Sequence, residues 1–326
     1  MTIPGTTSAA PAPPASAGGA GMSATGRRRG RYSLFTRSDR IALSLMVGIP
    51  TFLVILFVLL PTAASIVLSF TDWNGIGGLE AINFVGLKNY SDLVNIYQPF
   101  WPAVLHNFTW LAFFLLIATP IGMFLAVLLD KNIRGTRFYQ GALYMPVVLS
   151  LAIVGFIAQL MYAPEQGLIN NLLGKTEPGN TIFWLGDPSL NLWAVLVAAS
   201  WRQVGYVMIL YLAGLKAVDP ALREAAAIDG ASESQTFFRV VFPVMRPINI
   251  VILVITVIES LRAFYLAFII NKGLNGLELL STLVTNNIVG ETSRIGFGSA
   301  IAVVLLVVSV GPIIFYLVRA LREEHQ

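Results

Sequence analysis

Glu259 and Arg262 are charged residues three positions apart in an apolar stretch of the sequence, with Ser260 between them. Residues at i and i+3 share one face of a helix, so this carboxylate and this guanidinium can pair. A charge at the centre of a membrane helix costs about 2.5–3.5 kcal/mol on insertion scales, which makes such residues candidates for function. Two interpretations stay open: a salt bridge that holds the helices together, or a lining for the path of a solute.

A second polar cluster, Arg202, Gln203 and Tyr206, directly follows Trp201 in another apolar stretch. Amide and guanidinium groups can satisfy hydroxyls, and an aromatic face suits the C–H surface of a sugar. These residue types favour a path for a polyhydroxylated solute. Trp201 and Arg202 are also typical of anchors at a membrane interface, which is the structural alternative.

Segment 216–246 carries the capping signals of a helical hairpin. Asp219 is an N-cap followed by Pro220 at the first helical position, and 221–228 has high helix propensity. Gly230 then supplies a break. A surface hairpin at the membrane interface and a docking element for a cytosolic partner both fit this pattern.

The second helix of this hairpin is predicted to begin with the capping box formed by Ser232 and Gln235. Phe242-Pro243 is predicted to end it, and Pro247 can open the next apolar stretch. Both helices therefore have a start and an end indicated by the sequence.

The spacing of the hairpin resembles a known loop. Val240 and Phe242 stand where that loop has Ile and Leu, and both replacements are conservative. The pattern, E-A-A-x3-G-x9-I-x-L-P, belongs to the permeases of binding-protein-dependent ABC importers. It is specific when it lies on a cytoplasmic loop before the penultimate span, as it does here. The matching residues are Glu224-Ala225-Ala226, Gly230, Val240, Phe242 and Pro243.

Three further segments resemble the carbohydrate-uptake permeases, the group of the maltose transporter's first permease, so that the similarity runs from about residue 41 to the end. One segment departs: Asn271-Lys272-Gly273-Leu274 replaces a T-G-G-G-P turn of many relatives, which leaves the external gate and the substrate unspecified. The three are Phe84-Val85-Gly86-Leu87-Lys88-Asn89-Tyr90, Gly167-Leu168-Ile169-Asn170 with Leu172-Leu173-Gly174, and Trp184-Leu185-Gly186-Asp187-Pro188.

The resemblance implies an all-α membrane fold of six transmembrane helices, the type I ABC importer permease fold. It also implies that the hairpin couples to an ATPase, whose cleft receives the first short helix and moves with it as a rigid body. Alanines permit close approach, Glu224 can pair with a basic group, and Gly230 can take a positive φ. The coupling residues so indicated are Glu224, Ala225, Ala226, Asp229, Gly230 and Pro243.

The same resemblance favours the solute path for the two polar clusters, because relatives place sugar-contacting residues on these stretches. Tyr206, 18 residues before Glu224, resembles an aromatic sugar contact of the maltose permease. The path residues so indicated are Arg202, Gln203, Tyr206, Glu259, Ser260 and Arg262.

The partners implied are a second permease subunit, an ATPase dimer that binds ATP and Mg²⁺, an extracytoplasmic solute-binding protein, the sugar and membrane lipid. No cofactor is expected in this chain, no catalytic activity of its own and no nucleic-acid partner. Alternatives are the same machinery for another solute, such as a glycerol phosphodiester or a polyamine, and an intramembrane enzyme or ion-driven carrier. The sequence shows neither paired catalytic groups nor an inverted repeat for the last two.

Other chemistries find little support in the sequence. The absence of cysteine excludes disulfides, thiolate metal sites and cysteine nucleophiles. Gly174-Lys175-Thr176 resembles the end of a P-loop, but position 169, where that motif needs glycine, is Ile. His106 and His325 are too isolated to indicate a metal site.

These residues need membrane helices to position them. Over half of the chain is apolar, 56%, and 12% is charged, which indicates a multi-pass protein of the plasma or inner membrane. Prolines 50, 61, 120 and 146 lie in or near span centres, where neighbouring helices must satisfy freed carbonyls. The predicted spans are 41–68, 103–129, 138–162, 191–215, 247–270 and 296–318.

The distribution of Lys and Arg predicts the orientation. Fifteen of them fall in the tail 1–40, the loops 130–137 and 216–246 and the C-terminal end, against four in the opposite loops. Both termini are therefore predicted to be cytoplasmic. The tail itself is predicted to be disordered over 1–26, with an arginine cluster that anchors at lipid headgroups.

Overall fold

A computed structural model describes residues 36–131, 133–261, 263–290 and 293–324. The predictions for the tail before Thr36, for Arg262 and for His325 lie outside these residues. Within them the chain is helical, and its extended pairing is an isolated bridge between Thr71 and Phe84. The predicted all-α class is confirmed.

The chain divides into two units, 1–55 and 56–326. The first unit contributes helix α1, which Thr36 and Asp39 open with a capping box. The second unit contains the remaining helices. The helices are α1 Arg37–Val54, α2 Leu60–Leu68, α3 Lys88–Asn95, α4 Phe100–Phe113, α5 Thr119–Asp130, α6 Thr136–Val148, α7 Leu151–Met161, α8 Leu168–Leu173, α9 Asn191–Ala217, α10 Pro220–Ile228, α11 Glu233–Thr236, α12 Phe242–Val244, α13 Arg246–Leu261, α14 Phe264–Asn271, α15 Leu280–Ile288 and α16 Ile295–Glu324.

Four helical segments of the described residues are long and apolar enough to cross a membrane, and a bent pair makes a fifth. They correspond to predicted spans one, two, four and five. The sixth predicted span falls on α16, whose apolar part is Ile295–Gly311. The four segments are Ser38–Leu68, Phe100–Asp130, Asn191–Ala217 and Arg246–Asn271.

The third predicted span, 138–162, is not one straight helix. It consists of α6 and α7, whose axes differ by 99°. Leu149 is extended, with ψ 144°, and Ser150 then caps α7 by accepting a bond from the Ile153 amide. The serine offers the backbone an alternative to a continuous helix, which the apolar pattern alone does not reveal.

Within the part of the chain that the structure describes, three wide π-helical turns interrupt the helices, and a proline stands two residues after each: Pro61, Pro120 and Pro243. In a regular α-helix a proline ring clashes with the carbonyl four residues before it. The extra residue of a π turn moves that carbonyl away from the ring. The helices thus accommodate these prolines locally. The three turns are Ile55–Leu59, Phe114–Ala118 and Phe237–Val241.

Helices α5 and α9 pack closely because small residues line their contact. A Cβ added at Gly122 would lie 2.9 Å from the Val204 carbonyl oxygen and 2.9 Å from Val207 Cβ. Ala126 of the same helix is fully buried. Membrane helices commonly approach through such small residues.

Polar side chains fasten the loop after α2 to the helices beside it. Asn89 is buried and its Nδ2 donates to the Ser69 and Thr71 carbonyls, each at 2.8 Å. Tyr90 OH lies 2.7 Å from Ser69 Oγ. The segment 84–90, which the sequence analysis singled out, therefore holds the start of α3 against the end of α2.

The segments 167–174 and 184–188 are joined in the same way. Asn170 is fully buried; its Nδ2 donates to the Pro164 and Ile182 carbonyls, and its Oδ1 accepts from Trp184 Nε1 at 2.8 Å. Gly174 ends α8 in the left-handed region. Both motifs thus shape one loop.

A helix, α15, lies between the fifth and sixth predicted spans. Its Asn287 is buried, and the Nδ2 of this residue donates to Tyr97 OH at 3.1 Å. Its carbonyl also accepts from the Arg294 amide at 2.7 Å. Contacts over 190 positions of sequence are invisible to local patterns. His106 is engaged as well, with Nδ1 2.9 Å from the Glu278 carbonyl oxygen.

Candidate functional site

A cavity of about 160 Å³ lies among the membrane helices of the second unit. It contains three of the predicted path residues, Arg202, Gln203 and Glu259. Aromatic and aliphatic side chains complete its wall. The remaining lining residues are Trp110, Phe114, Leu151, Val154, Ala199, Ala263, Tyr265 and Leu266.

Two interrupted helices border this central cavity. Leu151 is the first residue of α7, just after the bend of the third span. Ala263 lies between α13 and α14, where the fifth span is broken. Gln159 joins α7 to α14, because its Nε2 donates to the Ile269 and Ile270 carbonyls at 3.0 and 2.7 Å. Irregular backbone at membrane depth is tolerated where it is buried in protein or lines a cavity.

An ion pair crosses the cavity wall between two spans. Arg202 Nη1 of α9 lies 3.8 Å from Glu259 Oε2 of α13, with side chains 28% and 45% exposed. The predicted partner of Glu259, Arg262, lies outside the described residues. The sequence could not reveal the pair with Arg202, since the two residues are 57 positions apart.

Gln203 is 3% exposed, and its Nε2 donates to Thr256 Oγ1 at 3.4 Å. The bond joins α9 to α13 beside the ion pair. The polar residues of spans four and five therefore meet at this wall.

Two predicted path residues do not line the cavity. Ser260 is fully buried, and its Oγ donates to the Thr256 carbonyl of its own helix at 2.6 Å. Tyr206 is half-buried and lies one turn beyond Arg202 on α9. Their roles as solute contacts stay predictions.

Trp110 and Phe114 are cavity residues that the sequence analysis did not single out. Trp110 is 1% exposed, and neither its Nε1 nor Arg202 Nε has a hydrogen-bond partner within the described residues. Buried donors normally find an acceptor. Two aromatic residues at i and i+4 in an apolar span look like ordinary core, so no signal distinguished them.

The predicted hairpin is present, and its local signals are confirmed. Asp219 Oδ1 accepts from the Ala221 amide at 2.9 Å, and Ser232 and Gln235 form the capping box. Gly230 has φ +77° between the two helices. The second helix ends at Val244, one residue after Phe242-Pro243, and the π turn Phe237–Val241 lies directly before this end.

The outer surface of α10 presents most of the predicted coupling residues. Glu224, Ala225, Asp229 and Gly230 are exposed, as is Pro243 on α12. Ala226 is not available in this way: it is 8% exposed and packs inside the chain. Its role in coupling stays a prediction.

Two ion pairs attach the hairpin to the end of α5. Arg223 Nη1 lies 2.7 Å from Asp130 Oδ2, and Arg223 Nη2 donates to the Leu215 carbonyl at 3.1 Å. Lys131 Nζ lies 2.5 Å from Glu233 Oε2. The hydrogen bond from Lys131, and then its charge, lower the pKa of the Glu233 carboxyl from its ordinary value. The hairpin is thereby linked to span two, which is distant in sequence.

These features define the class of the protein: a helical membrane transport component, with broken helices around a polar cavity and an exposed hairpin on one side. Residues 118–323 match the family described as binding-protein-dependent transport system inner membrane component. The chain belongs to this family, which confirms the resemblance seen in the hairpin and the inner-membrane localisation.

This chain aligns with most of the length of several curated relatives. The xylose/arabinose import permease protein XacH of Haloferax volcanii is 31% identical, over 86% of this chain and 90% of XacH. The probable starch degradation products transport system permease protein AmyD of Thermoanaerobacterium thermosulfurigenes is 30% identical, over 84% and 93%. The diacetylchitobiose uptake system permease protein NgcF of Streptomyces coelicolor is 30% identical, over 87% and 83%.

A solved structure supports the fold. The crystal structure of a bacterial ABC transporter involved in the import of the acidic polysaccharide alginate matches with a TM-score of 0.71 at 21% identity, over 87% of this chain and 96% of that one. The chain therefore has the type I ABC importer permease fold predicted from the sequence.

Proposed function

We propose that this chain is the subunit through which a neutral sugar or oligosaccharide crosses the membrane in an ATP-driven importer. The observation that carries the proposal is the central cavity at the two helix breaks, where aromatic and polar side chains of spans two, four and five meet. The named substrates of the relatives XacH, AmyD and NgcF, all sugars or products of polysaccharides, support the same class.

The charges of the cavity favour a neutral solute over the charged alternatives. Arg202 and Glu259 are the charged side chains of its described wall, and they face each other at 3.8 Å. A glycerol phosphodiester or a polyamine would meet one attractive and one repulsive charge. A hydroxyl can accept from the unpartnered donors of Trp110 and Arg202 and donate to Glu259.

The hairpin is proposed to dock into an ATPase subunit, which binds ATP and Mg²⁺ and hydrolyses the nucleotide. Exposed Glu224 offers a negative charge to a basic cleft, and Ile228, 86% exposed, offers an apolar contact. A second permease, a second ATPase subunit and an extracytoplasmic binding protein complete the proposed assembly.

Uptake by proteoliposomes containing the full importer tests this proposal. Labelled xylose, arabinose and N,N′-diacetylchitobiose are supplied with the binding protein, and either ATP or an ion gradient is provided. ATP-dependent uptake of at least one sugar is expected, and no uptake of spermidine or glycerophosphocholine is expected. Uptake that follows the ion gradient without ATP, or that selects a charged solute, would contradict the proposal.

A further inference from the structure

A second cavity, of about 300 Å³, lies among the loops after α2 and before α16, and it shares no lining residue with the central cavity. This outer cavity is at the low end of the roughly 300–1,000 Å³ usual for small-molecule pockets. Its wall combines two carboxylates, an arginine, two amides and aromatic rings. The lining residues are Asp72, Trp73, Asn74, Asn89, Asp92, Ile96, Tyr97, Arg294 and Phe297.

Hydrogen bonds hold this wall in place. The Trp73 carbonyl accepts from the Gly296 amide at 2.8 Å, and Asp72 Oδ1 accepts from the Asn83 amide at 3.2 Å. Tyr97 packs edge-on against Phe297, with ring centroids 5.2 Å apart. The cavity is therefore a formed feature of the packed loops.

One donor of the wall is unsatisfied. Trp73 Nε1 is buried and has no hydrogen-bond partner in the described part of the chain. Asp92, half-buried on α3, adds a carboxylate to the same wall. A buried N–H without an acceptor is costly, so an acceptor oxygen on a ligand would be bound favourably.

Charge decides which ligand suits this wall. A cation would be attracted by Asp72 and Asp92 but would leave the Trp73 donor unsatisfied. An anion would satisfy Trp73 and Arg294 but would meet the two carboxylates. A hydroxyl both donates and accepts, so a neutral polyhydroxylated ligand satisfies donors and carboxylates together, with aromatic faces for its C–H surface.

We infer that the outer cavity is a binding subsite for a neutral sugar unit, separate from the central cavity. The inference rests on the proposed function, because it takes these loops to face outward and the solute to be a sugar. A sugar leaving a binding protein would be held here before it reaches the central cavity.

The test measures equilibrium binding to the full importer in nanodiscs, without ATP or binding protein, by saturation-transfer NMR. The probes are xylose, arabinose and N,N′-diacetylchitobiose, with glucuronate and spermidine as charged competitors. Trp73→Phe removes the N–H and keeps a ring, and Asp92→Asn removes the charge. Each is expected to weaken binding of a neutral probe about fivefold or more, the scale of one lost hydrogen bond.

Trp101→Phe is the matched control. It also removes an indole N–H near the outer loops, but that N–H donates to the Val94 carbonyl at 3.1 Å, and Trp101 does not line the cavity. Its affinity for the probes is expected to equal that of the wild type.

The two proposals fail differently. Unchanged affinity in both Trp73→Phe and Asp92→Asn, with wild-type uptake intact, would overturn the outer subsite alone, as would stronger competition by glucuronate or spermidine than by the sugars. Absence of ATP-driven sugar uptake by the wild-type importer would instead count against the proposed function.

Discussion

The contact between Arg202 and Glu259 is the most informative pair of residues in the central cavity, because it joins two spans. Removing one partner leaves the other charge half-buried and alone, whereas removing both leaves no such charge. This asymmetry makes the pair testable in a way that neither residue is by itself.

We expect Glu259→Gln and Arg202→Gln each to lower uptake, and the double variant to lose less than the two losses combined. Uptake normalised to the amount of importer in the membrane is the measurement. Losses that multiply independently would show that the two side chains do not act together. Thermal unfolding of the same variants separates a loss of transport from a loss of fold.

Gly230 tests the hairpin at a single position. Its φ of +77° suits glycine, and an added Cβ would meet no atom within 4 Å, so the expected effect of a Cβ is backbone strain and not a clash. Gly230→Val is expected to cost about 1–2 kcal/mol and to uncouple ATP hydrolysis from uptake. Gly230→Asn tolerates this region better and is the control. Equal coupling in both variants would argue against the turn as a rigid part of the docking element.

At the scale of elements, the contact of α5 with α9 is set by Gly122. Gly122→Ala places a Cβ 2.9 Å from a carbonyl oxygen and is expected to lower the midpoint of thermal unfolding. Gly141→Ala, on α6, is the matched control, since a Cβ there meets nothing within 4 Å. It should leave stability unchanged or raise it slightly, through helix propensity. Equal midpoints for the two variants would contradict the close packing.

The attachment of the hairpin to α5 gives a prediction by charge exchange. Lys131→Glu or Glu233→Lys alone places like charges together and should loosen α11 from α5, while the double exchange should restore the contact. The chain has no cysteine, so pairs of introduced spin labels report the distance between the helices without background. A distance distribution unaffected by the single variants would rule out the attachment.

The same ion pair has a defined pH dependence. Because the folded pKa of Glu233 is lowered from 4.5, its stabilisation is complete above pH 4.5 and is lost only as pH falls through the folded value. The spin-label distance is therefore expected to stay constant across neutral pH. A change centred near pH 7 would point to another group.

At the scale of the whole molecule, the sequence predicted what local chemistry determines. Asp219, Gly230 and Ser232 gave the hairpin, because caps and a positive φ depend on near neighbours. The sequence did not predict that Ala226 is buried, that Glu259 pairs with Arg202 or that Trp110 lines the central cavity. Each of these depends on helices that are remote in sequence. The bend at Ser150 was also missed, because an apolar run of that length satisfies the rule for one straight span.

The assembly is the prediction at this scale. Purification in mild detergent with the proposed partners should yield a complex of two permeases and two ATPase subunits, and transport should require all of them. Transport by this chain alone would refute the assembly. Loss of the ATPase on Glu224→Lys, with the second permease retained, would place the contact on the hairpin.

The bend of the third span has a consequence for how the protein is made. Helices α6 and α7 have 13 and 11 residues, whereas about 20 are needed to cross the hydrocarbon core. Neither half can therefore be inserted by itself, and a kink facing lipid would leave carbonyls without partners. Gln159 of α7 finds its acceptors at Ile269 and Ile270, which emerge from the ribosome more than one hundred residues later. Gln159 can therefore make these two bonds only after the fifth span has been synthesised, so that the bend at Ser150 gains them late in the biogenesis of the chain.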